Sequence, residues 1–185
     1  MLKWLIKKRN EFSELWKRHE RQTNEEPEIP KDLYELSVFM HRYYEWQRDP
    51  LWGLCDHIKS IKHMNWYMKE YSEIRGDCDD LATYTLYLMA KMGYTELYRV
   101  NMPEFKHVIG VYKNTKTFGY GGFSNRNLYQ WNEPAVHSVV TKICMAEKKK
   151  EPKLKYLAEK ISYDREKVDI KFSGMLIITP RISEV

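Results

Sequence analysis

Cysteine is scarce in this chain of 185 residues: Cys55, Cys78 and Cys144 are three, an odd number with no close pair. That count argues against a disulfide framework and for a reducing compartment in which the thiols stay free. Long apolar runs are missing as well. Trp4, Leu5 and Ile6 give way at once to Lys7, Lys8 and Arg9, so the continuous apolar core of a signal peptide is lacking, and no stretch reaches the length of a membrane span. A soluble protein of the cytoplasm is therefore expected. Zinc-finger spacing and the aromatic strand motifs of RNA-binding domains are absent too. Cys55-Asp56-His57 with His63 offers three good ligands where zinc usually takes four, so neither a metal nor an organic cofactor is expected.

The length suits one domain that buries roughly two-thirds of its unfolded surface. Net charge is +5, and the excess is local. Lys3, Lys7, Lys8, Arg9, Lys17, Arg18 and Arg21 precede the first acidic cluster at Glu25-Glu26, and Lys148-Lys149-Lys150 forms a second run. Residues 1–26 are read as a basic amphipathic N-terminal helix with an apolar stripe at Leu5, Phe12, Leu15 and Trp16. Such a helix packs on the domain or, as the rival reading, attaches to nucleic acid or an anionic surface.

Pro27 and Pro30 break that helix, and a domain over 27–147 follows. Asp32 to Gln47 and Leu54 to Tyr71 read as helices. From Asp79 to Met92 an apolar helix runs to Gly93, a favoured residue past a helix end, and is expected at the centre of the core. Leu97 to Met102, His107 to Lys113 and Thr117 to Tyr120 read as strands of an antiparallel sheet. Gly121-Gly122 leaves room there for a bulge or a close backbone approach. Pro134 to Cys144 reads as a helix. Residues 148–185 form a C-terminal extension on the same domain, with a short helix around Leu154 to Ile161 and a late strand at Met175 to Thr179.

The chemistry centres on Gly76-Asp77-Cys78-Asp79-Asp80-Leu81-Ala82. A cysteine in the first turn of a helix sits among unpaired backbone N–H groups at the positive end of the macrodipole, which favours thiolate. The flanking carboxylates oppose that charge, so an imidazole must supply the balancing one. His107, in a period-2 apolar run, is the candidate proton carrier. A third group should accept a hydrogen bond from the other ring nitrogen. The next strand is its natural source, where Ser124 and Asn125 are the candidates. An oxyanion hole would use the Cys78 N–H with one donor from the preceding helix, where Trp66, Tyr67 and Tyr71 all qualify. Tyr43, Tyr44, Trp46, Trp52 and Trp66 could line an apolar substrate groove.

Together these segments resemble the transglutaminase-like superfamily within the papain-like cysteine fold. Gly76-Asp77-Cys78-Asp79-Asp80-Leu81-Ala82 is similar to its Gly-x-Cys-x-Asp-x-Ala motif, in the Asp-Cys-Asp/Glu-Asp form of its bacterial and phage branch. His107-Val108-Ile109-Gly110-Val111-Tyr112 is similar to its histidine strand. The likeness spans roughly Trp66 to Tyr129. It implies an α+β fold with the nucleophile helix packed on a small antiparallel sheet and N-terminal helices beside it. It implies a cysteine peptidase, amidase or acyltransferase that acts on a protein or peptide substrate through a thioester. Cys78 and His107 are its catalytic pair. Many relatives carry an aspartate at the third place, but no acidic residue occurs between His107 and Glu133, so the resemblance assigns Asn125 as a neutral orienting group. It prefers Trp66 as the upstream aromatic. The alternatives are a catalytically silent binding module and a phage accessory protein that uses its basic helix to attach to nucleic acid or an anionic surface.

Overall fold

The computed structural model describes residues 22–47, 59–153, 155–164 and 169–178. The basic N-terminal segment before residue 22, Trp52 and the Cys55-Asp56-His57 group lie outside the described residues. Within them, α1 (Leu33–Tyr43), β1 (Tyr44–Trp46), α2 (Ile61–Tyr71), β2 (Ile74–Gly76) and α3 (Cys78–Lys91) come first. Then follow β3 (Leu97–Met102), β4 (His107–Lys113), β5 (Tyr120–Ser124), β6 (Asn127–Glu133), α4 (Val136–Lys148), β7 (Tyr156–Asp164) and β8 (Asp169–Ile178). The fold is mixed α+β. No described helix is long and apolar enough to cross a membrane.

Six strands in the order β6-β5-β4-β3-β7-β8 form one sheet, and every neighbouring pair is antiparallel. Both faces are covered, because strand residues alternate sides and each side finds its own apolar partner. Leu97, Tyr112, Phe123 and Ile161 pack with α1, α2 and α3. Val100, Met102, Ile109, Val111, Tyr156 and Ala158 pack with the α4 residues Val136, Val139, Val140, Ile143 and Cys144. A parallel pair of short strands, β1 and β2, carries the chain into the Cys78 turn.

Helix α3 is the centre of the molecule. Asp77 caps it by accepting from the Asp79 N–H at 3.3 Å, its sequence contains no Pro or Gly, and every residue from Asp79 to Met89 is buried. Gly93 follows the end at φ +94°, a conformation that glycine adopts without cost.

Three expectations are corrected. The helix expected over Asp32 to Gln47 stops at Tyr43, and Tyr44–Trp46 is strand β1, paired with β2. Leu154 to Ile161 is not helical: Tyr156 begins β7, which pairs with β3 on one side and β8 on the other. Ala158 is buried beneath α4 while Ile161 is buried on the α3 side, and a strand buried on both faces loses period-2 contrast. The strand expected over Thr117 to Tyr120 starts only at Tyr120, because Thr117 and Phe118 belong to a turn in which Asn114 Oδ1 accepts from the Lys116 and Thr117 N–H groups. The double glycine then makes a register shift against β6 between Tyr120 and Gly122.

Gly110 on β4 faces the Phe123 ring so closely that a Cβ there would overlap it. Gly110→Ala is expected to cost about 1–3 kcal/mol through overpacking. The urea midpoint should fall with an unchanged slope; a midpoint equal to the native one would refute this packing.

Candidate active site

Cys78 opens α3. Its turn is fixed from behind: Asp80 accepts the Lys59 backbone N–H at 2.6 Å and also pairs with the Lys59 ammonium, and both side chains are almost fully buried. Gly76 belongs to the same device, because a Cβ there would collide with the Asp80 side chain. The sulfur is half-buried, and the backbone N–H of Val108 lies near enough to favour its thiolate form. The start of α3 therefore meets the start of β4.

Burial pushes the Cys78 thiol up to about 11, and the charges of Asp77 and Asp79 add to the effect. The N–H groups of Val108 and of Cys78 itself pull the other way. Asp79 is raised to about 8, first by burial, then by a hydrogen bond with Asp77 and by the charges of Asp80 and Asp77. Asp79 thus keeps its proton at neutral pH. The carboxylates of Asp77, Asp79 and Asp80 lie within 4.8 Å of one another, but Asp80 is already engaged by Lys59.

His107, buried at the start of β4, places its Nε2 2.8 Å from Ser124 Oγ. Ser124 Oγ in turn donates to Glu147 Oε2 at 2.8 Å, and Tyr129 donates its hydroxyl to Glu147 Oε1 at 3.0 Å. Nε2 and Glu147 Oε2 are 3.7 Å apart. Burial lowers the pKa of the ring; Glu147 opposes this and Lys148 reinforces it.

The sulfur and the imidazole reach the same strand end from different sides. His107 stands opposite Met102 in the β3–β4 register, on the face covered by α4, whereas Val108 packs against the cluster built around α3. Among the described residues no hydrogen bond joins Cys78 Sγ to the ring. Nδ1 of His107 has no hydrogen-bond partner among them either.

Ser124 stands where Asn125 was expected. Asn125 occupies the turn after β5 at φ 48°, and its Oδ1 is buried with no partner among the described residues. The chain reverses there, which directs the last strand residue, Ser124, toward α4 and takes Asn125 out of the alternation. Trp66 and Tyr71 pack with each other at 5.5 Å, and Trp66 stacks on His63 at 5.9 Å. Arg75 lies over the rings of Tyr67 and Tyr71. Tyr44 belongs to the core, not to a groove: it is 1% exposed and hydrogen-bonds Thr85 Oγ1 at 2.7 Å.

Glu147 and Lys59 escaped the sequence reading. Glu147 carried a signal, since Val136, Val140, Ile143 and Glu147 recur at helical spacing and put a carboxylate on the apolar stripe. Lys59 carried none.

Comparison with protein-family models, curated proteins and solved structures finds no match to this chain.

Proposed function

We propose that this chain is a transglutaminase-like cysteine hydrolase or acyltransferase acting on an amide bond. The observation that carries the reading is the packing of the Cys78 helix against β4, the strand that His107 opens, with His107 Nε2 already held by Ser124. The helix start that carries the thiol lies beside the strand that carries the buried imidazole and its bonded hydroxyl, and this supports the reading.

In the proposed reaction His107 takes the thiol proton as Sγ attacks the amide carbonyl carbon, and the Cys78 N–H donates to the oxyanion. The C–N bond breaks as the amine leaves with a proton from His107, and a thioester remains. Water then attacks it, passing a proton to His107, and releases the acid and the thiol. Hydrolysis is preferred to transamidation because water needs no acceptor pocket. The reaction requires the His107 ring, which sits on the α4 face of β4, to reach the sulfur on the α3 side when substrate binds, and this rearrangement is part of the proposal. The raised thiol and the separate faces of the two groups favour a second reading, a silent binding module that keeps the fold.

Iodoacetamide distinguishes the two. The hydrolase reading expects Cys78 to be alkylated at pH 7 faster than Cys144, and His107→Ala to slow it at least about tenfold. A Cys78 rate indifferent to His107→Ala would establish the module instead.

A further inference from the structure

His107, Ser124, Tyr129 and Glu147 come from three successive strands, β4, β5 and β6, and from α4. The direction of their hydrogen bonds follows from what each group can do. An ionised carboxylate only accepts, so the hydroxyls of Ser124 and Tyr129 both donate to Glu147, one to each oxygen. With its proton committed to Glu147, Ser124 Oγ can only accept from the ring. The neutral imidazole therefore carries its proton on Nε2, and Nδ1 holds the basic lone pair.

We infer that Glu147 is the positioning residue of the site, acting on His107 through Ser124 to fix the Nε2–H tautomer and to stabilise the imidazolium that forms when Nδ1 takes a proton. This inference rests on the hydrolase reading for its catalytic meaning, while the linkage itself does not. A carboxylate reaching the ring through a hydroxyl from a following helix supplies the negative charge that the next strand lacks, since no acidic residue lies between His107 and Glu133. Tyr129 holds the outer oxygen of Glu147 in place, and the carboxylate is partly buried, so its field is screened less than that of a surface group. The other charge acting on the ring is that of Lys148 on α4, which opposes the imidazolium.

The test uses the full chain labelled with 15N-histidine, with the His107 signals assigned by their loss in His107→Gln. The neutral ring should report its proton on Nε2. Glu147→Gln, which keeps the shape, should shift the His107 titration to lower pH and slow iodoacetamide alkylation of Cys78 about tenfold at pH 7. Glu147→Asp should restore part of both. Ser124→Ala, which removes the bridge and keeps the carboxylate, should also release the tautomer and covers the case in which Glu147→Gln does not fold. A proton on Nδ1, or an unmoved titration in folded Glu147→Gln, overturns the inference. A titration that moves while Cys78 stays inert in the native chain supports the Glu147 linkage and rejects the hydrolase reading, so the two fail separately.

Discussion

Asp80→Ala is expected to lower the unfolding free energy by about 3–5 kcal/mol, because it leaves the Lys59 ammonium buried without its counter-charge. Lys59 and Asp80 are 2% and 0% exposed, and the carboxylate serves two donors of the same residue, the ammonium and the backbone N–H. Truncation removes both acceptors at once. An orphaned buried N–H adds a desolvation cost of about 1–3 kcal/mol to that of the charge. Breaking a buried pair and replacing it are different operations, so Lys59→Met combined with Asp80→Leu should regain most of the loss. Urea unfolding of the native chain, both single variants and the double variant gives the coupling directly. A loss below about 1 kcal/mol in Asp80→Ala would mean that water reaches Lys59. The consequence for the site is local: Asp80 ties the third residue of α3 to the residue before the α2 cap, so its loss slackens the turn that carries Cys78.

The sequence made α3 legible because every local signal agreed: Asp at the cap, an uninterrupted apolar helix and glycine past the end. The strands of Leu97–Met102 and His107–Lys113 were legible for a similar reason, most of their apolar residues being β-branched or aromatic and bounded by turns. Strand β6 was hidden: it is an edge strand with a polar outer face, so Leu128, Tyr129 and Trp131 stand among Asn, Gln and Glu. Strand β7 was hidden by the opposite condition, burial on both faces. At the site, pairing of adjacent strands pointed to Ser124 or Asn125 as the neighbour of His107, but the choice depended on where β5 turns. Asn125 takes a left-handed conformation that asparagine tolerates well, and this backbone fact decides which side chain meets His107. The Lys59–Asp80 pair spans 21 residues of sequence, and nothing in the pattern around either residue announces the other.

Above pH 8 the alkylation rate of Cys78 is expected to separate Asp79→Asn from the native chain, whereas at pH 7 the two should nearly coincide. The reason is the proton on Asp79. Up to about pH 8 Asp79 keeps it and adds no charge beside the sulfur, so the native chain and Asp79→Asn present the same field to the thiol. Past that pH Asp79 gains its charge just as rising pH begins to favour thiolate, and the native ionisation is held back. The variant escapes this and should react up to about tenfold faster near pH 9, the equivalent of one unit in the thiol's pKa. Asp77→Asn combined with Asp79→Asn removes both charges, keeps a capping residue before α3, and should be faster at pH 7 as well. Stability gives an independent reading of the same group. A carboxyl raised from 3.8 to about 8 binds its proton more tightly folded than unfolded, so the stability it contributes is complete below about 3.8 and is lost as pH climbs to 8. Asp79→Asn abolishes that loss, and at pH 8 the variant should unfold at higher urea than the native chain. Rate profiles that superimpose from pH 6 to 10, together with parallel stability curves, would show that Asp79 is an ordinary ionised carboxylate and that the sulfur feels two fixed charges at every pH.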